Sequence, residues 1–204
     1  MRSDKEKKLM IETMENCAIL YCNKNLPMTQ SLCCFGWECG SGWFYVLNEM
    51  SCKLEALNLL YYPKYKVKIQ ADQVKEKFGT LRFYFSVICE DIEHTKEQEV
   101  VITAMNSWAE EIVHWAEDEC YKTCEECGRQ IGTDWSPRCE TSGWITYLCD
   151  KCAAKTKGFY YKNGAKWQEG KLLMTKEEVE AERERKEAEI EVKYKKEKEN
   201  EDKN

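Results

Sequence analysis

Cys124-Glu125-Glu126-Cys127-Gly128 and Cys149-Asp150-Lys151-Cys152, with 21 residues between Cys127 and Cys149, decide how the second half of this chain folds. Each Cys-x-x-Cys pair sets two thiols on one tight turn. Two such turns facing each other put four sulfurs at tetrahedral corners, the ligand set of a structural zinc site. Gly128 supplies the left-handed backbone that such a knuckle needs. The closed set of Cys124, Cys127, Cys149 and Cys152 leaves no open coordination position, so the expected Zn2+ is structural rather than catalytic. Cys120 and Cys139 compete for the role, but neither lies on a knuckle, and a core or surface thiol is the simpler reading.

Outward from the cysteines, the chain of 204 residues is long enough for one medium domain or two small ones. Charged residues make up 33% and mean hydropathy is -0.70, values that look disordered until the charges are mapped. The last 30 residues hold 12 acids and 9 bases, while most of the 24 aromatics precede them. The first part can therefore bury a core. Thirteen cysteines, an odd number, without an apolar leader pattern fit a reducing compartment, and a cytoplasmic protein is expected. No apolar run approaches the roughly 18 residues that a membrane span needs. A net charge of -6 argues against simple coating of nucleic acid and leaves room for a local basic face.

Apolar periodicity predicts a helix over 5–23, with Lys5, Lys7, Glu12 and Glu15 on its polar side, ended before Pro27. A second helix is predicted from Ser41 or Gly42 to about Tyr61, stopped by Pro63. Alternation over Tyr65–Ala71, a bulge, and Val74–Phe78 predict a strand that returns as Leu81–Val87 in a hairpin centred on Gly79. A third helix, over about 95–120, is predicted to turn Val101, Met105, Trp108, Ile112 and Trp115 inward. Asn163-Gly164 marks a second hairpin, and Thr175-Lys-Glu-Glu178 is a capping box opening a charged terminal helix. The expected architecture is α+β: helices on an antiparallel hairpin over 1–120, a zinc ribbon over 121–157, a hairpin over 158–174 and a solvent-exposed helical tail over 175–204.

Gln73-Val-Lys-Glu-Lys-Phe-Gly79-Thr-Leu-Arg-Phe-Tyr84 resembles the Lys-Glu-Lys-Phe-Gly-x-Leu-Arg-Phe-Tyr signature of a family of small zinc-ribbon proteins encoded by phages and prophages. Gly40-Ser-Gly42-Trp43, Cys124 to Gly128 and Gly143-Trp-Ile-Thr-Tyr-Leu-Cys149 follow that family's pattern in order, over roughly residues 36 to 155. The resemblance implies a mobile-element origin and a zinc ribbon. It supplies no catalytic residues.

Other residues carry weaker signals. Cys22, Cys33, Cys34 and Cys39 invite a second metal site, against buried reduced thiols; Cys33 and Cys34 are adjacent and point different ways. His94 and His114 have no nucleophile motif beside them, and His114 reads as a packing residue. Trp135, Trp144 and Trp167 either cover a module too small to bury itself or form a recognition patch, covering being the more usual use. Lys66 and Lys68 read as a solvated face. Lys75, Lys77, Arg82 and Tyr84 fall within the signature and read as binding residues, although Asp72 and Glu76 weaken a nucleic-acid partner. The leading expectation is a non-enzymatic accessory protein that binds a host or phage protein or a nucleic acid, one form being an inhibitor of a bacterial defence system. The alternatives are a zinc-ribbon nucleic-acid-binding protein of phage transcription or replication, and an enzyme without a recognisable motif.

Overall fold

A computed structural model describes residues 4–201; the side chains of Lys5 and Lys7 and the last three residues of the expected tail lie outside the described set. Helices and two sheets, the first mixed through the parallel β1–β2 pair and the second antiparallel, divide between two buried apolar clusters. The first is built by α1 (Asp4–Glu15), α2 (Phe44–Tyr65), α3 (Lys96–Tyr121) and a sheet of β1 (Trp37–Glu38), β2 (Val67–Lys77) and β3 (Thr80–Cys89), in the order β1-β2-β3. The second holds β4 (Cys139–Thr141), β5 (Tyr147–Leu148), α4 (Asp150–Ala153), β6 (Phe159–Lys162), β7 (Ala165–Gln168) and β8 (Lys171–Met174). These strands form one sheet in the order β5-β4-β6-β7-β8, and α5 (Lys176–Glu201) follows.

The first helix is shorter than its periodicity predicts. Buried Glu55 accepts hydrogen bonds from the backbone N–H groups of Ile19 and Leu20, both at 2.9 Å. A continuing helix would need those donors for its own carbonyls, so the chain leaves α1 at Glu15 and turns under α2. The same network continues through Asn58, whose amide donates to Glu55 (3.2 Å) and to the Ile69 carbonyl (2.9 Å) while accepting from the Ile69 N–H (2.7 Å). Asn58 thus acts as a one-residue strand on the edge of β2. Next to it the Ala71 N–H donates to the Leu20 carbonyl at 2.7 Å. Asn58→Leu fits the volume but strands both Ile69 backbone groups. It is expected to lower stability by about 3 kcal/mol, read as a lower urea midpoint at unchanged slope.

Pro63 does not stop α2. It withholds a donor only from the Leu59 carbonyl, on a turn where Leu59 and Leu60 face solvent, and the helix ends at Lys66 in the left-handed conformation (φ 59°). In α3 the buried line runs through Gln98, Val101, Met105, Ala109, Val113, Ala116 and Cys120. Trp108, Ile112 and Trp115 sit at its edge rather than inward. Trp108 packs on Tyr61 at 5.7 Å, and the Lys53 ammonium lies 3.8 Å from the Trp115 ring. Small Ala109 and Ala116 let the helices approach, so the large rings are pushed to the flank.

β2 and β3 pair from Val67↔Cys89 to Lys77↔Thr80, with a bulge at Asp72 that keeps Val67, Ile69, Ala71, Val74 and Glu76 on the buried face. Phe78 (φ 54°) and Gly79 (φ 74°) make the two-residue turn, and both positive φ values match the strand twist. After the cysteines, Asn163-Gly164 and Glu169-Gly170 make two such turns, giving a three-stranded meander that continues the β4–β5 sheet. Segments 121–157 and 158–174 therefore share one sheet. Most of α5 is solvent-exposed, with Ile190, Val192 and Tyr194 open and i,i+4 ion pairs such as Lys186–Glu182 (2.6 Å) along its length. Among the described residues no helix is long and apolar enough to cross a membrane.

Candidate metal centre

The first knuckle is built by backbone bonds. Cys124 N–H donates to the Arg129 carbonyl (2.7 Å), Gly128 N–H to the Cys124 carbonyl (2.9 Å) and Ile131 N–H to the Lys122 carbonyl (2.8 Å). Gly128, at φ 73°, closes the turn. The second knuckle is the start of α4, where the Cys152 and Ala153 N–H groups donate to the Cys149 carbonyl (3.1 and 2.9 Å). Together they bring the thiols of Cys124, Cys127, Cys149 and Cys152 within 4.8 Å of one another. The Cys127 and Cys149 sulfurs are 3.7 Å apart. Metal–sulfur bonds of about 2.3 Å at tetrahedral angles require sulfurs about 3.8 Å apart, so the set has the dimensions of a four-coordinate metal site.

Burial pushes Cys124 up to about 11 and Cys152 up as well. At Cys127 burial acts in the same direction, but the Arg129 backbone N–H and the neighbouring thiols outweigh it and bring the group below its ordinary value. A divalent cation is what lets all four ionise together.

The other cysteines stand apart from this cluster. Cys139 is fully buried on β4 beside it, and burial pushes its thiol up to about 12. Cys120 lies in the first apolar cluster, on the last turn of α3. Cys22 is exposed, Cys33 buried, and Cys34 and Cys39 intermediate; they do not converge on a ligand set among the described residues.

The tryptophans correct the covering reading. Trp135 and Trp144 are 72% and 74% exposed, and the cysteines are shielded by Ile131, Leu148, Ala153 and Tyr160. Only Trp167 is half-buried against that cluster. His114 is exposed on the outer side of α3 and does not pack; His94 is exposed as well.

What joins the cysteine module to the helical body is a set of contacts that the motifs did not announce. Gly42 N–H donates to the Glu125 carbonyl (2.7 Å), Gly40 N–H to the Glu125 carboxylate (2.8 Å), and the fully buried Trp43 indole to the Thr123 carbonyl (3.0 Å). On the other side Glu76, nearly buried, accepts from the Gly79 N–H and from the Trp144 indole. The Tyr147 ring packs on Gly79 so closely that a Cβ there would lie 2.6 Å from it. Glu76 was expected to weigh against a nucleic-acid contact; its charge instead faces the module. The exposed Trp144 ring is held in one orientation by that bond.

On the opposite face of the hairpin Lys75 pairs directly with Arg82, and Gln73 with Tyr84. The Lys75 ammonium is 5.6 Å from the Tyr84 ring and Lys77 is 5.5 Å from Phe78; Tyr84 is 44% and Phe78 65% exposed. Among the described residues no carboxylate pairs with Lys75, Lys77 or Arg82, whereas Lys68 is held by Glu90 at 3.0 Å. Two like charges on directly opposed residues repel; the acid beside them is Glu38, the β1 partner of Lys75, which makes no ion pair with it among the described residues.

No protein-family model, no curated protein and no solved structure matches this chain.

Proposed function

We propose that this chain is a phage-type accessory protein that acts by binding, with a structural Zn2+ on Cys124, Cys127, Cys149 and Cys152 in a zinc-ribbon module. The zinc would set the knuckles and, through Glu125 and Thr123, the position of the module on the body. The contact surface in this reading is the outer face of the β2–β3 hairpin, formed by Lys75, Lys77, Arg82 and Tyr84, and its partner is an anionic surface of a host protein or a nucleic acid. Inhibition of a bacterial defence system in the host cytoplasm is one form of this. The observation that carries it is the directly opposed Lys75–Arg82 pair, without a close ion pair among the described residues, beside exposed aromatics. Repulsion of that kind persists where a partner's negative charge relieves it.

The exposed rings of Tyr84 and Phe78 favour a second reading, a nucleic-acid-binding protein of phage transcription or replication, since stacking tolerates any base. In titrations of labelled single-stranded DNA and RNA, Lys75→Ala/Lys77→Ala is expected to weaken binding and lower the log–log salt slope by about 2. An absence of binding at low salt removes the nucleic-acid form. Affinity purification from infected cells, with nucleic acid measured beside protein, then decides for a protein partner. Recovery of neither an anionic protein surface nor nucleic acid, or recovery unchanged by the double substitution, defeats the hairpin as the contact.

A further inference from the structure

Arg138 has an unusual position. Its guanidinium lies 3.6 Å from the Tyr121 ring and 5.2 Å from the Tyr147 ring, and the two rings meet edge to face at 5.6 Å. Its Nε is buried and has no hydrogen-bond partner, and no carboxylate lies within ion-pair distance of the group among the described residues. Stacking on a ring face satisfies a guanidinium's charge in part but leaves its N–H groups pointing outward in the ring-parallel plane, the arrangement that recognises an oxyanion with two parallel bonds. Only Nε is sealed from solvent; Arg138 itself lines a cleft, so its terminal Nη groups are the part that a ligand can reach.

The cleft, of 460 Å³, lies between the end of α3, the β4–β6 part of the sheet and the first turns of α5. Besides Arg138 it is lined by Arg183, Tyr121, Tyr147, Tyr161 and Asn163, and the three tyrosine hydroxyls have no protein partner among the described residues. Glu140 and Glu180 line it as well; neither forms an ion pair with Arg138 among the described residues, and Glu180 pairs with Lys176 at 3.7 Å.

We infer that this cleft binds a phosphate group, with the Arg138 fork as its principal ligand. The site does not depend on the hairpin reading, although Tyr147 links the two surfaces by packing on Gly79 at the hairpin tip. Its ligand is a phosphate monoester, free or borne on a nucleotide or a phosphorylated side chain.

The test follows the Arg138 Nε–H resonance in an arginine-selective 15N spectrum of the full chain during titration with inorganic phosphate, acetate, adenosine 5′-monophosphate and O-phosphoserine. Phosphate is expected to shift that resonance with a millimolar midpoint, at least about tenfold below that of acetate. Whichever of the nucleotide and the phosphoserine binds more tightly names the source of the group. Arg138→Lys keeps the charge but not the fork, and is expected to weaken phosphate, followed by shifts of the cleft's backbone amides, about tenfold. Lys75→Ala/Lys77→Ala is expected to leave it within about twofold, so that this site and the hairpin surface fail separately. An Arg138 resonance unmoved by about 20 mM phosphate overturns the inference, as do acetate binding equally well or Arg138→Lys binding unchanged.

Discussion

Cys149→Ser is expected to unfold the module from Lys122 to Met174 and to drop bound zinc from about one ion per chain toward none. Outside its cysteines the buried part of that module is Ile131, Leu148, Ala153 and Tyr160. Four side chains of this size, each adding about 1.5–3 kcal/mol or less, cannot offset the ordering of five strands and two knuckles. A metal held by four thiolates contributes about 10–16 kcal/mol in apparent terms, enough to decide whether the module folds. Cys149 is 1% exposed and caps α4, so a serine there loses both a ligand and the buried sulfur that packs the turn. The first apolar cluster has its own helices and sheet and should persist, leaving a half-folded chain in which amide protection survives in α2, α3 and the β2–β3 pair and is lost after Tyr121. Elemental analysis with a thiol-reactive release assay and hydrogen exchange reads both parts. Protein purified without chelator that holds no metal, yet keeps the module protected, would show that the cysteines act as a thiol core.

Gly42→Ala should cost about 4 kcal/mol and lower the melting temperature by about 10 °C, the largest effect of any single methyl group here. A Cβ at Gly42 would stand 2.2 Å from the Cys124 carbonyl oxygen, 2.4 Å from that of Glu125 and 2.6 Å from the Gly128 nitrogen. All three are backbone atoms of the first knuckle, which its own hydrogen bonds hold in place, so none can turn aside. The module must back away, breaking the bonds from Gly42, Gly40 and Trp43 and exposing the Trp43 ring. Gly143→Ala is the control. Its φ of 79° strains any side chain, but nothing lies within 4 Å, so about 1 kcal/mol is expected. Calorimetry of both variants separates close approach from conformation. Equal small losses would mean that the seam between body and module yields, and that close approach does not require glycine at position 42.

The cysteine pairs were legible because ligand geometry is local. Two residues between thiols fix one turn, and the chemistry of four sulfurs admits few alternatives. The hairpin at Gly79 and the Asn163-Gly164 turn were visible for a similar reason, since positive φ restricts which residues serve, although the turn takes Phe78 with Gly79 and leaves Thr80 to the strand. Glu169-Gly170 escaped notice, having the same geometry without asparagine as its signal. The ends of α1 and α2 were misplaced because long-range contacts decided them. Glu55 takes two backbone donors from 35 residues away, and solvent tolerates a missing donor at Pro63. Periodicity contains neither fact.

The residue types that hold a metal, the periods that make helices and strands, and the charge of the terminal helix were all determined by sequence alone, because each depends on neighbours a few positions away. Only the tertiary structure decided that Gly42 and Glu125, Glu76 and Trp144, and Gly79 and Tyr147 form one seam. Those pairs lie about seventy to eighty residues apart, and their meeting rests on the packing of two separate cores. The same packing turned Trp144 outward, set Lys75 directly opposite Arg82, and stacked Arg138 on two tyrosines with its buried Nε unsatisfied.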